Sequence, residues 1–304
     1  MKSLRNAGFT LTEVMIAAAI GVVIALGTAA FSWASARLGA KNLAYNHGNA
    51  AFTQGSNRLV KDLQSSDSVF TLVDFNGTTY TDSAVSITAD QDPLTGQYLS
   101  SRSNTVRFWM KIAGPFQLNA SALATDTNLS FNFGPAVSGA LTYTPAVNDK
   151  LWLPLINKEF QITAVVTAPT ASAPTGVVTI GNSTNSGTGY TLSTTSPNVT
   201  TAIFFRQVAF SVYNNQLRFH PQFSGSTQGN CIIVSNNITS PKPFSLLYAT
   251  STSSASTQTN LRISLEAYDL SYSNLAFPNG AATLQTVVPV RDQPPFVSSL
   301  QTPL

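Results

Sequence analysis

The chain has little of what enzyme sites are built from. Its 304 residues include one cysteine, Cys231, and two histidines, His47 and His220. A single cysteine excludes an intrachain disulfide, and in an oxidising compartment Cys231 reads as a buried small hydrophobe. His47 falls on the polar side of a helix and His220 ends a strand. Neither has a second ligand at metal spacing, so both read as structural or solvent-exposed rather than catalytic. Charge is scarce too, at 10% of residues, and no basic run follows the first eight. The formal net charge of +3 falls to +1 without Lys2 and Arg5. Counterion release onto phosphates therefore has no footprint, and nucleic acid is not expected as a partner. At 43% hydrophobic and 10% aromatic the chain can still bury a core, so the scarce charge describes a Ser/Thr/Asn-rich surface rather than disorder.

What the chain does have is a long apolar run close to its start. Val14 to Phe31 carries no charge, and its eighteen residues, as a helix rising about 1.5 Å each, cover roughly 27 Å of the ~30 Å hydrocarbon layer of a bilayer. A secretory signal is cut after its apolar core. Here the best cut follows Gly8, before the run, and would leave the apolar helix on the mature protein. Glu13 stands four residues after Phe9 at the edge of this segment. An acid at depth in lipid costs about 2.5–3.5 kcal/mol and needs a partner. Cutting before Phe9 would supply one, an α-amine one helical turn away or on a neighbouring chain. Lys2 and Arg5 precede the span, which places that end in the cytoplasm and the bulk of the chain on the far side of the inner membrane, in the periplasm of a diderm cell.

Gly8-Phe9-Thr10-Leu11-Thr12-Glu13 followed by the apolar helix resembles the N-terminal motif of type IV pilins and type II secretion pseudopilins. The resemblance implies cleavage between Gly8 and Phe9 by a prepilin peptidase, N-methylation of Phe9, and assembly into a filament in which Glu13 pairs with Phe9 and sets the register. It implies as partners other major and minor pseudopilins or pilins, an inner-membrane assembly platform, inner-membrane lipid, and in secretion systems a substrate and a secretin. Gly21 and Gly27 are candidate sites of local melting on assembly, glycine weakening a helix by about 1 kcal/mol relative to alanine; packing through small residues is the equal alternative.

Beyond the span, Phe31, Leu38, Tyr45, Phe52 and Leu59 recur every seven residues, with Leu63 added, and form one stripe for docking onto a folded domain. From Val69 the period becomes two. Val106, Phe108 and Met110 share a face, as do Val208, Phe210 and Val212. Asn214-Asn215 reads as a tight hairpin turn into Gln216 to His220. Cys231 to Val234, Phe244 to Ala249, Leu261 to Ala267 and Leu284 to Val290 complete a set of short strands. The expected fold is α+β: a long N-terminal helix packed on a C-terminal antiparallel sheet curled against it, with an inserted β-rich subdomain. The expected segments are a leader, 1–8; a transmembrane half-helix, 9–36; an amphipathic half, 37–68; a β-rich region, 69–200; a C-terminal β domain, 201–292; and a tail, 293–304. Loops at Ala168 to Thr175 and Thr184 to Asn198 are expected to be mobile. The helix ending Arg58 to Leu63, Leu217-Arg218-Phe219, Cys231-Ile232-Ile233-Val234 and Arg291 resemble the J-type minor pseudopilin.

No cofactor or metal is expected. Asp90-Gln91-Asp92-Pro93-Leu94-Thr95-Gly96 lacks the third ligand and distal glutamate of an EF-hand and reads as a solvated turn. Gly225-Ser226-Thr227-Gln228-Gly229 has threonine where a nucleophile elbow needs its serine and reads as a loop. The functional expectation is a minor subunit at the tip of a type II secretion pseudopilus or a type IV pilus, and not an enzyme. The rivals are an adhesin or DNA-uptake module on the same anchor, and a membrane-tethered hydrolase, which would need two acids close enough to shift each other's pKa.

Overall fold

A computed structural model describes residues 10–66, 70–83, 86–123, 126–134, 143–156, 158–170, 172–181, 191–192, 200–223, 230–251, 258–267 and 282–290. The expected leader with Gly8 and Phe9, the loop Gly225 to Gly229, the tail 293–304 with Arg291 before it, and most of Thr184 to Asn198 lie outside these residues. In chain order the elements begin with α1 (Leu11–Gln64), β1 (Thr71–Phe75), β2 (Tyr80–Asp82), β3 (Ile87–Gln91), β4 (Tyr98–Ser100) and β5 (Thr105–Leu118). Then come β6 (Ala122–Leu123), β7 (Asn128–Asn132), β8 (Lys150–Leu153), β9 (Lys158–Thr167), β10 (Thr175–Ile180) and β11 (Thr191–Leu192). The last are β12 (Thr201–Tyr213), β13 (Gln216–His220), β14 (Ile232–Ser235), β15 (Phe244–Tyr248), β16 (Gln258–Ala267) and β17 (Ala282–Pro289).

The α+β expectation holds: one long helix precedes antiparallel sheet. The sheet is not a single curled one, however. Strands β17, β16, β15, β4 and β3 form a second sheet of their own, with Leu247 opposite Leu99 and Phe244 opposite Ile263. The first sheet runs β14-β13-β12-β5-β1-β2. The last part of α1 packs on β14 and β17, the end strands of the two sheets. One core fills the space between: Phe52, Leu59 and Leu63 from the helix, Val106 and Phe108 from β5, Val208, Phe210 and Val212 from β12, and Leu246, Leu261 and Ile263 from the second sheet.

The inserted region is a closed barrel. Pairing runs from β5 to β12, β8, β9, β10 and β7 and returns to β5, every step antiparallel. Its interior is filled by Phe116, Phe131, Phe133, Phe160, Phe204 and Leu151. Closure removes free edges, which lets a small all-β unit stand beside the main core. The turn from β9 to β10 is tied, with Thr170 and Ala173 exchanging backbone hydrogen bonds of 2.9 and 3.1 Å.

β5 and β12 serve both cores because they are long, and their shared ladder is bulged between them. The register shifts where Phe116 faces Ala202 and Ala113 faces Phe204. Gly114 occupies the bulge at φ +113, and a Cβ there would meet the carbonyl oxygen of Ala202 at 2.7 Å. Gly114→Ala is therefore expected to cost roughly 1–3 kcal/mol from φ alone, with the backbone clash adding to it. Chemical denaturation of the full chain in detergent is the check. Asn214 and Asn215, at φ 49 and 60, make the two-residue turn joining β12 to β13; both left-handed residues are what a type I′ hairpin turn requires.

Only part of the helical stripe docks. Phe52, Leu59 and Leu63 are buried, whereas Phe31 and Leu38 are exposed, and the side chain of Tyr45 lies outside the described residues. The physical reason is reach. Phe31 lies twenty-one residues before Phe52, about 30 Å along the rod, beyond anything the domain can cover.

Candidate membrane and assembly helix

The helix opens at Thr10, whose extended backbone (φ −73, ψ 149) makes it the N-cap. Thr10 and Glu13 form a capping box: the Glu13 N–H donates to Thr10 Oγ1 at 3.3 Å, and the Thr10 N–H donates to Glu13 Oε2 at 2.9 Å. The Thr10 hydroxyl donates to the same carboxylate oxygen at 3.0 Å. Two otherwise unpaired donors of the first turn are satisfied in this way. The carboxylate of Glu13 is consequently folded back onto the N-cap residue Thr10.

From Leu11 to Leu43 the helix is long and apolar enough to cross a membrane, with mean hydropathy 2.4 and no part of it buried in the fold. Leu11, Met15, Ile16, Val23, Ile24 and Leu26 are all exposed. A continuous apolar surface of this length left uncovered is the signature of a surface meant for lipid or for other helices. The one hydroxyl within Val14 to Phe31 is accommodated: that of Thr28 donates to the carbonyls of Ile24 and Ala25 at 3.0 and 2.9 Å. Trp33 follows the uncharged stretch, and the Arg37 guanidinium lies 5.5 Å from its ring centroid one turn later. An indole beside a cation suits the headgroup layer.

Gly21 and Gly27 lie in unbroken helix, and a Cβ at either would meet nothing within 4 Å. Within one chain, then, neither glycine serves a close approach. Gly55 does: a Cβ there would lie 2.7 Å from Ser235 Cβ, so its bare backbone lets α1 settle on β14.

The polar constellations in the β domain are structural in their geometry. His220 is fully buried, taking part in hydrogen bonds of 2.8 Å with the Tyr80 hydroxyl through Nδ1 and with the Ser211 hydroxyl through Nε2. This corrects the solvent-exposed alternative. The chain of groups has the order of a hydrolytic relay, but Ser211 is itself fully buried, and the imidazole it bonds lies against the rings of Phe75 and Tyr80, which leaves an incoming acyl group no approach. Burial, with Arg218 nearby, pushes the His220 pKa down to about 4. The unfolded chain takes up this proton near pH 6.5 and the folded one only near 4. Acidification through that window therefore favours unfolding, by about 3 kcal/mol in total. Denaturation at pH 7 and pH 4 should show the loss, and His220→Gln should remove that component of it.

Asp92 is not solvated as expected; it is buried against Arg262, with Nε 3.5 Å from Oδ1, and its other oxygen accepts from the Thr95 N–H and hydroxyl at 3.1 and 2.8 Å. The segment is a turn anchored to the second sheet, and Asp90 remains exposed. Among the described residues no three His, Cys, Asp or Glu side chains gather as a metal site. Cys231, immediately before β14, is half-buried rather than buried, and the His47 side chain lies outside the described residues.

A further buried ion pair escaped the sequence reading. Asp149, 2% exposed, accepts from Arg206 through both oxygens, at 2.8 Å from Nε and 2.7 Å from Nη2. It also accepts from the Tyr143 hydroxyl at 2.6 Å and the Ala146 N–H at 3.0 Å. Burial and the adjoining carboxylate raise the Tyr143 pKa. For Arg206, burial opposes the charge, but Asp149 outweighs it and the pKa rises. The visible signal was a break in alternation: Ala202, Phe204, Val208, Phe210 and Val212 share one face of β12, and Arg206 interrupts them where one core gives way to the other.

Residues 3–29 match the family model described as a prokaryotic N-terminal methylation motif. That match, together with the bare apolar helix, supports a type IV pilin-like family. No curated protein and no solved structure matches the chain.

Proposed function

We propose that the chain is a minor pilin-like subunit of the J type, cut between Gly8 and Phe9, methylated at Phe9 and assembled at the tip of a type II secretion pseudopilus or a type IV pilus. It is a structural subunit, not an enzyme. The observation that carries this reading is the methylation motif running directly into an apolar helix that the fold leaves uncovered. Such a helix is stable in lipid and equally stable among sister helices, so a subunit can leave the membrane for a filament at little cost in apolar exposure.

Segment 1–8 is the leader in this reading, and the domain beyond the span lies in the periplasm before assembly. Glu13, aimed back along the helix, pairs with the amine that cleavage creates at Phe9, on its own or an adjacent chain. Gly21 and Gly27, with open space around them, are where the rod melts or where neighbouring helices approach. The minor, tip assignment is supported by the barrel, a bulky addition beside the main core that a tightly repeating shaft would have to accommodate in every copy. Its partners are then other major and minor pilin-like subunits, the prepilin peptidase and the assembly platform, with a secretin and secreted substrate in a secretion machine.

Deleting the gene and assaying exported enzymes beside attachment and twitching tests the choice of machine. Lost secretion with normal attachment is expected. Normal secretion with lost attachment would move the barrel to the role of an adhesive module.

A further inference from the structure

We propose that Trp33 and Arg37 form a binding site for the phosphate of an anionic phospholipid, at the membrane edge where the apolar run ends. The proposal rests on the membrane-spanning reading above and goes beyond it by naming the lipid class that the helix selects. The rise from Leu11 to Phe31 is about 30 Å, the thickness of the hydrocarbon layer, and the headgroups add roughly 5–7 Å on each side. With Phe31 at the hydrocarbon edge, the backbone of Trp33 lies about 3 Å past it and that of Arg37 about 9 Å past it.

The Arg37 side chain makes up the difference. Side chains on a helix lean toward its N-terminus, which for Arg37 is toward the membrane. The guanidinium does so, lying 5.5 Å from the centroid of the Trp33 ring one turn back. Its charge is thereby carried to the depth of the indole, within the phosphate layer. Trp33 is 68% exposed, so an arriving headgroup meets ring and cation together. A guanidinium offers phosphate oxygens paired hydrogen bonds, and the ring beside it restricts the orientations that its planar fork can take.

The helix itself carries no acid that could serve Arg37. From Val14 to Lys61 the sequence holds no aspartate or glutamate. Glu13 and Asp62, which flank this stretch, stand about 36 and 38 Å from Arg37 along the axis. Both are already engaged, Glu13 with Thr10 at 2.9 Å and Asp62 with Arg58 at 3.6 Å. A second copy beside the first at the same height brings the same acid-free stretch. In a bilayer, by contrast, lipid phosphate is present at this depth all around the rod. An anionic lipid is preferred to a zwitterionic one, whose own cation repels the guanidinium. Lys41, one turn further along on the same side, adds to the positive charge.

The test reconstitutes the full chain in vesicles of equimolar phosphatidylglycerol and phosphatidylcholine, with bromine near the glycerol end of the acyl chains of one lipid or the other. Bromine quenches indoles that it touches. Trp109 and Trp152 lie in β5 and β8 rather than in the helix, and Trp33→Phe gives their background. The expected result is phosphatidylglycerol enriched about fivefold over phosphatidylcholine beside Trp33, the effect of one cation near an anionic surface. Arg37→Gln should lower that ratio at least threefold, while Lys61→Gln, an equal loss of charge in the last turn of α1, leaves it as in the parent. Equal quenching by the two lipids, a ratio unmoved by Arg37→Gln, or one lowered as much by Lys61→Gln would overturn the proposal. So would equal quenching combined with a photoreactive residue at position 37 that cross-links to another subunit in native membranes, which would assign this cation to the filament. A chain that stays embedded in alkaline carbonate but shows no lipid preference removes the site alone. One that carbonate strips from the vesicles, with Trp33 quenched by neither lipid, removes the membrane reading as well.

Discussion

Glu13→Ala is expected to leave leader removal and membrane insertion intact and to lower recovery of the chain in filaments at least tenfold. An acid near the hydrocarbon edge opposes insertion by up to about 2.5–3.5 kcal/mol, so its loss makes the membrane-bound state easier to reach. What is lost is the pairing between its carboxylate and the amine of Phe9, and each tenfold in assembly corresponds to about 1.4 kcal/mol. A second variant separates that role from helix capping. In Glu13→Gln the amide oxygen can still accept from the Thr10 N–H, as Glu13 Oε2 does at 2.9 Å, while the charge is gone. Recovery as low as that of alanine assigns the effect to charge pairing. Recovery equal to the parent would assign Glu13 to capping alone.

The second large effect is expected at Asp149. Asp149→Ala leaves the Arg206 guanidinium with its two bonds of 2.8 and 2.7 Å lost and its position largely closed to water. Removing one partner of a buried pair costs about 3–5 kcal/mol, whereas replacing the pair with apolar groups of similar volume is often neutral. Full-length chain in detergent micelles should therefore lose about that much stability by chemical denaturation as the single variant, and regain most of it when Arg206→Met is added. A double variant no more stable than the single one would show that the cost lies in the loop from Tyr143 to Lys150 itself, whose Tyr143 and Ala146 also bond Asp149.

The readable and unreadable parts of this fold divide by sequence distance. Period-two runs announced β5, β12 and β13, and the Asn214-Asn215 pair announced the turn between the latter two, because each of these is decided within a few residues. The second sheet was hidden, since β15 pairs with β4, whose residues stand well over a hundred positions earlier. Barrel closure was hidden for the same reason: β12 must find both β5 and β8. At the helix, the apolar run and Glu13 were legible from composition and spacing. The bond between Thr10 and Glu13 was also there to be read, because the two residues stand at the spacing of a capping box. Asp149 gave no such sign. Only its partner did, as one cation among the inward-facing apolar residues of β12. Buried polar networks depend on which distant segments meet, and alternation along one strand cannot report that.

The most direct measurement is the mass of the N-terminal peptide of the native protein recovered from membranes. The account predicts a chain that begins at Phe9, carries one added methyl group on its amine, and retains the whole apolar helix through Phe31. A native chain that still begins at Met1, or one cut after the apolar run, would contradict it.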